Sequence, residues 1–205
     1  MNIKLSKETV LSAKEYYEKA KKMLKKKDLL GFVENIGSAK ALLKDDKLLL
    51  SKVDFLKARG LYLFKKFEHA LEAVDNALKT NTGDKANKLK KYEGLIYGFQ
   101  GYFDKSINLF KELVDETSHD TLKVELYINI TWANLTACQL ESKDIYLQNS
   151  KKYLDLANNY FEELDIHRKK LILLNYGEYY SKVNKYDEAI EVVEKALDYC
   201  NESEL

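Results

Sequence analysis

The 205-residue chain contains no proline and only eight glycines. Proline breaks helix interiors and glycine weakens both helices and strands, so a chain this poor in both favours long helices with short connections. No segment shows a sustained alternation of apolar and polar residues, so we predict no β-sheet. The composition therefore predicts an all-α protein.

Cysteine and arginine are scarce as well. The two cysteines, Cys138 and Cys200, form no CxxC motif and have no histidine at ligand spacing, so we expect free buried thiols and neither a disulfide framework nor a zinc site. The only arginines are Arg59 and Arg168. Because arginine makes the bidentate contacts to bases and phosphates, this scarcity argues against sequence-specific nucleic-acid binding.

Long apolar runs are also absent, and the N-terminal region lacks the apolar core of a signal peptide. We therefore expect a cytoplasmic protein with no membrane partner. The three histidines fall in separate predicted hairpins, and neither a phosphate-binding loop nor a nucleophile motif occurs. The sequence predicts no enzymatic activity, no cofactor and no metal.

Charge is distributed unevenly along the chain. Residues 1–100 contain 22 Lys or Arg and 13 Asp or Glu, a net charge of +9, whereas residues 101–205 contain 12 and 20, a net charge of −8. Such an asymmetry can steer partners or favour head-to-tail contacts, and surface charge without a role is the alternative. Part of the positive charge of residues 1–100 comes from a cluster of lysines at the end of a predicted helix. This cluster could attract an acidic partner, nucleic acid or a membrane surface, or it could simply complement the helix dipole. It consists of Lys21, Lys22, Lys25, Lys26 and Lys27.

Residues 173–197 have the spacing expected of two tightly packed antiparallel helices. Gly177 and Ala189 remove side-chain bulk where the two backbones approach. Tyr176, Tyr180 and Tyr186 are placed to fill the surrounding space. This segment predicts a helical hairpin.

The same spacing recurs closely in residues 84–116 and less closely in two other segments. In residues 51–80 either Ala58 or Gly60 could occupy the close contact, and a helix is expected to begin at a capping box formed by Ser51 and Asp54. The matching positions in 84–116 are Gly94, Tyr97, Phe103, Ser106, Phe110 and Leu113. The pattern therefore indicates a repeat.

This repeat resembles the tetratricopeptide repeat (TPR). The resemblance implies a right-handed superhelical solenoid of about ten helices, arranged as antiparallel hairpins in a single domain. The domain would span 1–205, with a degenerate capping hairpin at 1–46 and repeats at 51–80, 84–116, 119–162 and 166–200. In the capping hairpin a second helix from 29 to 43 is expected to bury Val33 and Ile36. More weakly, the long and uneven repeat steps resemble the TPR-like sensor domains of Rap/PlcR-type bacterial peptide-responsive regulators.

In the TPR family, ligands bind in a groove lined by first-helix residues that do not take part in packing. Lysines there can hold a carboxylate, and an asparagine amide can both donate to and accept from a peptide backbone. Leu95 and Glu178 occupy the position where the chaperone-tail clamp has an asparagine, so that clamp is not expected. Ordinary solvated helix surface is the alternative reading for each position. The implied groove residues are Arg59, Tyr62, Lys88, Lys91, Leu95, Asn134, Asn175 and Glu178.

The final helix has an apolar stripe too wide for packing on one neighbour. Ile190, Val193 and Leu197 are therefore predicted to form a self-association face that supports a homodimer, or else to be covered by further repeats. The leading functional hypothesis is a non-catalytic scaffold that binds a protein or peptide. A sensor domain for a short signalling peptide in a bacterial regulator and an oligomeric structural element are the alternatives.

Overall fold

The structure, a computed structural model, describes residues 7–43, 46–141 and 144–202. Within these ranges the chain forms ten α-helices, one short 3-10 helix at Phe161–Glu163 and no strand, which confirms the predicted all-α fold. The ends of the predicted 1–46 hairpin lie partly outside the described residues. The helices are α1 (Lys7–Lys25), α2 (Leu29–Ala41), α3 (Lys47–Leu63), α4 (Phe67–Leu78), α5 (Asp84–Phe99), α6 (Phe103–Glu116), α7 (Asp120–Glu141), α8 (Asp144–Asn158), α9 (Ile166–Lys182) and α10 (Tyr186–Glu202).

Two compact units can be distinguished along the chain. Unit 1 covers Met1–Ile96 and unit 2 covers Tyr97–Leu205, so the boundary falls within α5. In unit 1, α1 packs against α2 and α3 packs against α4; in unit 2, α7 packs against α8 and α9 packs against α10. Successive helices thus pair as hairpins, and the single domain expected at 1–205 stays a prediction.

Small residues allow the helices of unit 1 to approach closely. Ala58 of α3 packs with Ala70 and Ala73 of α4 in one buried cluster. Gly60, two residues after Ala58, lies under the ring of Phe32 in α2. A Cβ at position 60 would fall 2.1 Å from the ring Cζ. Ala58 therefore occupies the small position of the α3/α4 hairpin, and Gly60 serves the contact with the preceding hairpin. This resolves the alternative that the sequence left open.

The predicted capping box at Ser51 and Asp54 is wrong. Helix α3 begins four residues earlier, where the Asp46 side chain accepts a hydrogen bond from the Leu49 amide at 3.0 Å. Ser51 lies inside the helix, and its Oγ donates to Oδ1 of Asn81 at 2.8 Å. Asp54 likewise accepts a hydrogen bond from Lys40 of α2. Ser51 and Asp54 therefore make tertiary contacts instead of a helix cap, since buried polar groups need partners.

The buried face of α2 also differs from the prediction. Phe32 is fully buried, whereas Val33 is 43% exposed. The ring of Phe32 fits over Gly60 and lies 5.6 Å from the ring of Phe64, measured between centroids. Ile36 is buried as predicted.

The core of unit 2 is built around α7. This helix packs against α6, α8 and α9 and buries apolar residues on several sides, as expected for a helix surrounded by others. Trp132 covers Gly98, where a Cβ would fall 2.7 Å from the indole ring. Cys138 is a free, half-buried thiol, and the side chain of Cys200 lies outside those described. No helix in the described ranges has the length and apolar character needed to cross a membrane.

Candidate binding pocket

Helices α1 and α3, the first helices of the two hairpins in unit 1, form a pocket of about 370 Å³. Tyr17, Lys21, Leu24 and Lys25 project into it from α1. Lys21 lies four residues from both Tyr17 and Lys25 and three from Leu24, so the four residues share one side of that helix. The pocket is completed from α3 by Phe55, Leu56, Arg59 and Leu63.

The charged side chains of the pocket are all cationic. Lys21 is compensated by Glu18, whose two carboxylate oxygens lie 2.9 and 3.1 Å from the Lys21 Nζ. This hydrogen bond raises the pKa of the Lys21 ammonium. The side chains of Lys25 and Arg59 make no hydrogen bond or ion pair with another described residue. As far as the described ranges extend, the pocket therefore combines two uncompensated cations with an apolar floor.

Aromatic rings extend the α3 surface towards α5 within unit 1. The ring centroids of Tyr62 and Tyr92 lie 5.1 Å apart, and Phe55 contacts Tyr92 edge-on at 6.3 Å. The Lys91 Nζ lies 5.7 Å from the centre of the Tyr92 ring. Burial raises the pKa of the Tyr62 hydroxyl, and Tyr92 adds to this effect.

The groove residues predicted in unit 1 are only partly brought together. Arg59 lines the pocket, and Tyr62 and Lys91 flank the same tyrosine ring of α5. Lys88 is exposed and Leu95 is half-buried. Their shared role as groove residues stays a prediction.

The groove residues predicted in unit 2 are occupied by contacts within the protein. Asn134 is fully buried and donates from Nδ2 to the Ile130 carbonyl at 2.8 Å. Asn175 is 9% exposed, and its Nδ2 lies 3.4 Å from the Ile128 carbonyl. Glu178 is half-buried and pairs with a lysine one turn later, at 3.6 Å. The asparagine amides thus serve backbone carbonyls, and their role in a groove stays a prediction.

The predicted self-association face is mostly exposed. Ile190 and Leu197 are 58% and 57% exposed, and Tyr186 on the same stripe is 59% exposed. Val193 is half-buried, because its Cγ2 packs over Gly177, where a Cβ would fall 2.7 Å away. The close approach predicted at Gly177 is present, and the homodimer stays a prediction.

A second pocket of about 600 Å³ lies in unit 2 between α8, α9 and α10. Tyr176 and Tyr180 stack in it, with ring centroids 5.8 Å apart. Burial, together with a 2.9 Å hydrogen bond to Asp155, raises the pKa of the Tyr176 hydroxyl. Both lysines of this pocket, Lys151 and Lys195, pair at 2.6 Å with an acid on their own helix. Unlike the pocket of unit 1, it therefore offers no uncompensated lysine.

The α1 side of the unit 1 pocket was not predicted as part of a site. In the sequence, Lys21 and Lys25 belong to a basic cluster, and the repeat pattern places α1 in a capping hairpin. The available signal was the combination of that cluster with Tyr17 and Leu24 on one helix face. Among the described residues, no group of three or more His, Cys, Asp or Glu could hold a metal ion.

Comparison with known proteins detects similarity at the level of structure. No protein-family model matches the chain, and no curated protein matches it. The fold is similar to that of BtubC (BKLC) from P. vanneervenii, with 15% sequence identity, a TM-score of 0.64 and coverage of 96% of this chain and 91% of BtubC.

Two crystal structures of a Podosopora anserina putative kinesin light chain with nearly identical TPR-like repeats are similar as well. Their TM-scores are 0.70 and 0.68 at 11% and 12% identity, and each comparison covers 97% of this chain and 99% of the other. At such low identity the likeness describes the fold alone. The chain therefore has a TPR-like repeat fold.

Proposed function

We propose that the protein is a non-catalytic scaffold that binds a peptide segment of a partner protein in the α1/α3 pocket. The observation that carries this proposal is the pocket itself, a concave apolar surface with convergent polar groups, as is typical of ligand sites. The TPR-like fold supports the same conclusion, because such repeat scaffolds are often used for protein binding. The regulatory sensor is a narrower form of this proposal, in which the segment is a short signalling peptide.

The side chains of the pocket are suited to binding. Its lining residues offer aromatic and aliphatic surface together with lysine and arginine, and they include no histidine, cysteine, serine or carboxylate. The pocket can bury an apolar side chain and orient a polar one, which is what recognition of a peptide requires.

Leu63→Gln tests the proposal through the apolar rim of the pocket. Peptides selected by the full chain from a random library should bind Leu63→Gln about fivefold more weakly, because loss of apolar contact removes part of the 1.5 kcal/mol or so that a buried leucine contributes. Leu63 is 51% exposed, so we expect the variant to fold normally. Fluorescence anisotropy of labelled peptides measures the effect.

Leu48→Gln is the matched control, since Leu48 lies on the same helix, is 67% exposed and does not line the pocket. Its affinity should stay within about twofold of the unmodified chain. Failure to select any peptide, or equal binding by both variants, would show that the pocket is not the site.

We also propose self-association through α10, based on the exposed side chains of Tyr186, Ile190 and Leu197. Sedimentation velocity at tens of micromolar should show a dimer for the unmodified chain and a monomer for Ile190→Glu combined with Leu197→Glu, because two buried charges oppose the contact. Leu140→Glu, at a position in α7 that is 69% exposed, is the control and should leave the dimer intact. A monomeric unmodified chain at these concentrations would rule the dimer out.

A further inference from the structure

We propose that the α1/α3 pocket selects acidic amphipathic segments, in which glutamate or aspartate lies next to a large apolar side chain. This inference rests on the proposed function and adds the chemistry of the partner. The pocket combines two features, uncompensated positive charge and an apolar floor, and each determines one half of the ligand.

The positive charge comes from both walls of the pocket. Lys25 lies at the end of α1 and Arg59 lies on α3, and neither is paired with a described acid. Arginine presents a planar fork of donors that matches a carboxylate, and lysine adds a mobile point charge. A partner carboxylate would supply the counter-charge that no described residue provides.

The floor requires an apolar group beside that carboxylate. Leu56 is 6% exposed, while Leu24 and Phe55 are half-buried and keep part of their surface open to the pocket. Covering this surface with another apolar side chain contributes about 25 cal/mol for each Å² removed from water. A volume of about 370 Å³ is at the small end of ligand pockets and suits one large side chain and its neighbour.

The charge of the whole unit acts in the same direction. Residues 1–96 contain 22 Lys or Arg and 13 Asp or Glu, a net charge of +9, which would accelerate the approach of an acidic segment. The unit 2 pocket has no uncompensated lysine, since Lys151 and Lys195 are paired within their own helices. Electrostatic complementarity therefore favours the pocket of unit 1 for an acidic ligand.

A protein segment fits these features better than a nucleic acid. The phosphate backbone can bind the cations but leaves the apolar floor of Leu24, Phe55 and Leu56 uncovered. Unpaired bases stack on aromatic rings. Most of the apolar residues that line this pocket are instead aliphatic, namely Leu24, Leu56 and Leu63. An oligonucleotide probe distinguishes these two kinds of ligand.

The test compares fluorescein-labelled probes on the full chain by anisotropy. One peptide contains glutamates flanking two leucines, a second has glutamine at each glutamate, a third has lysine there, and the fourth probe is single-stranded oligothymidylate. The acidic peptide should bind at least tenfold more tightly than the glutamine peptide. Its affinity should fall severalfold at high salt, because exposed charges are screened.

Charge reversal assigns the effect to the pocket. Arg59→Glu should weaken the acidic peptide by at least tenfold and strengthen the lysine peptide, and Lys25→Glu should act in the same direction. Lys52→Glu is the matched control, since Lys52 is exposed on α3, has no described partner and does not line the pocket. It should change affinity less than about twofold.

The outcomes separate the inference from the proposed function. If the glutamine and acidic peptides bind equally and Leu63→Gln weakens both, the pocket binds peptides but the acidic preference is overturned. If no probe responds to Leu63→Gln or Arg59→Glu, both are overturned. If oligothymidylate binds as tightly as the acidic peptide and is equally sensitive to Arg59→Glu, the pocket is a general anion site and the inference fails.

Discussion

Gly60→Ala is expected to destabilise the protein by about 3 kcal/mol, the upper part of the usual range for overpacking a core. A Cβ at this position would fall 2.1, 2.5 and 2.8 Å from three atoms of the Phe32 ring. That ring is fully buried and cannot move away without displacing its neighbours. Urea unfolding followed by far-UV circular dichroism measures the change in the free energy of unfolding.

Two controls show whether the Phe32 contact is the cause. Gly37 lies on the exposed face of α2, where an added Cβ meets nothing within 4 Å. Gly37→Ala should stabilise the protein by about 0.5 kcal/mol, because glycine is a poor helix residue. In a Phe32→Leu background the cost of Gly60→Ala should fall by about half, since contacting sites are not additive. Equal effects at positions 37 and 60 would contradict the packing described here.

Lys40→Met is expected to cost about 2 kcal/mol, because it leaves the carboxylate of Asp54 without its partner. The Asp54 side chain is only 5% exposed, and the Lys40 Nζ lies 2.7 Å from its Oδ1. Lys40 itself is 44% exposed, so the cost should be smaller than the 3 to 5 kcal/mol or so typical of a fully buried pair. The pair joins α2 to α3, and its loss is measured by the same unfolding experiment.

The double variant Lys40→Met with Asp54→Leu should cost less than Lys40→Met and Asp54→Leu added together, since no isolated charge remains buried. Lys151→Met is the control, because the Lys151 and Asp155 side chains of that pair are 39% and 50% exposed. It should cost less than about 0.5 kcal/mol. A larger loss for Lys151→Met than for Lys40→Met would overturn this interpretation.

The hairpins could be predicted because their determinants are local. The close contact at Gly177 follows from residues a few turns apart, and the structure places Val193 against it. The face of α2 could not be predicted in the same way. Phe32 and Val33 are adjacent and both apolar, and the choice between them depends on Gly60 in another helix. Periodicity alone leaves such a one-residue rotation undetermined.

The candidate site also contains both residues that the sequence predicts and residues that it does not. Arg59 was predicted from its place on a first helix, and it lines the pocket. Lys25 is not predicted as a residue of the candidate site, because lysines at the end of a helix also complement its dipole. Its place in the pocket depends on the contact between α1 and α3. The inward direction of Asn134 could not be read from spacing, since its amide bonds the carbonyl four residues back.

Mapping the site of a bound peptide tests the central claim most directly. A glutamate- and leucine-containing peptide with a photoreactive group is cross-linked to the full chain, and the attachment sites are identified by mass spectrometry. The account predicts cross-links to the α1 and α3 residues of the pocket, above all Tyr17, Leu24 and Leu63, and their loss in Arg59→Glu. Cross-links confined to the α8–α10 pocket or to the exposed face of α10 would contradict it.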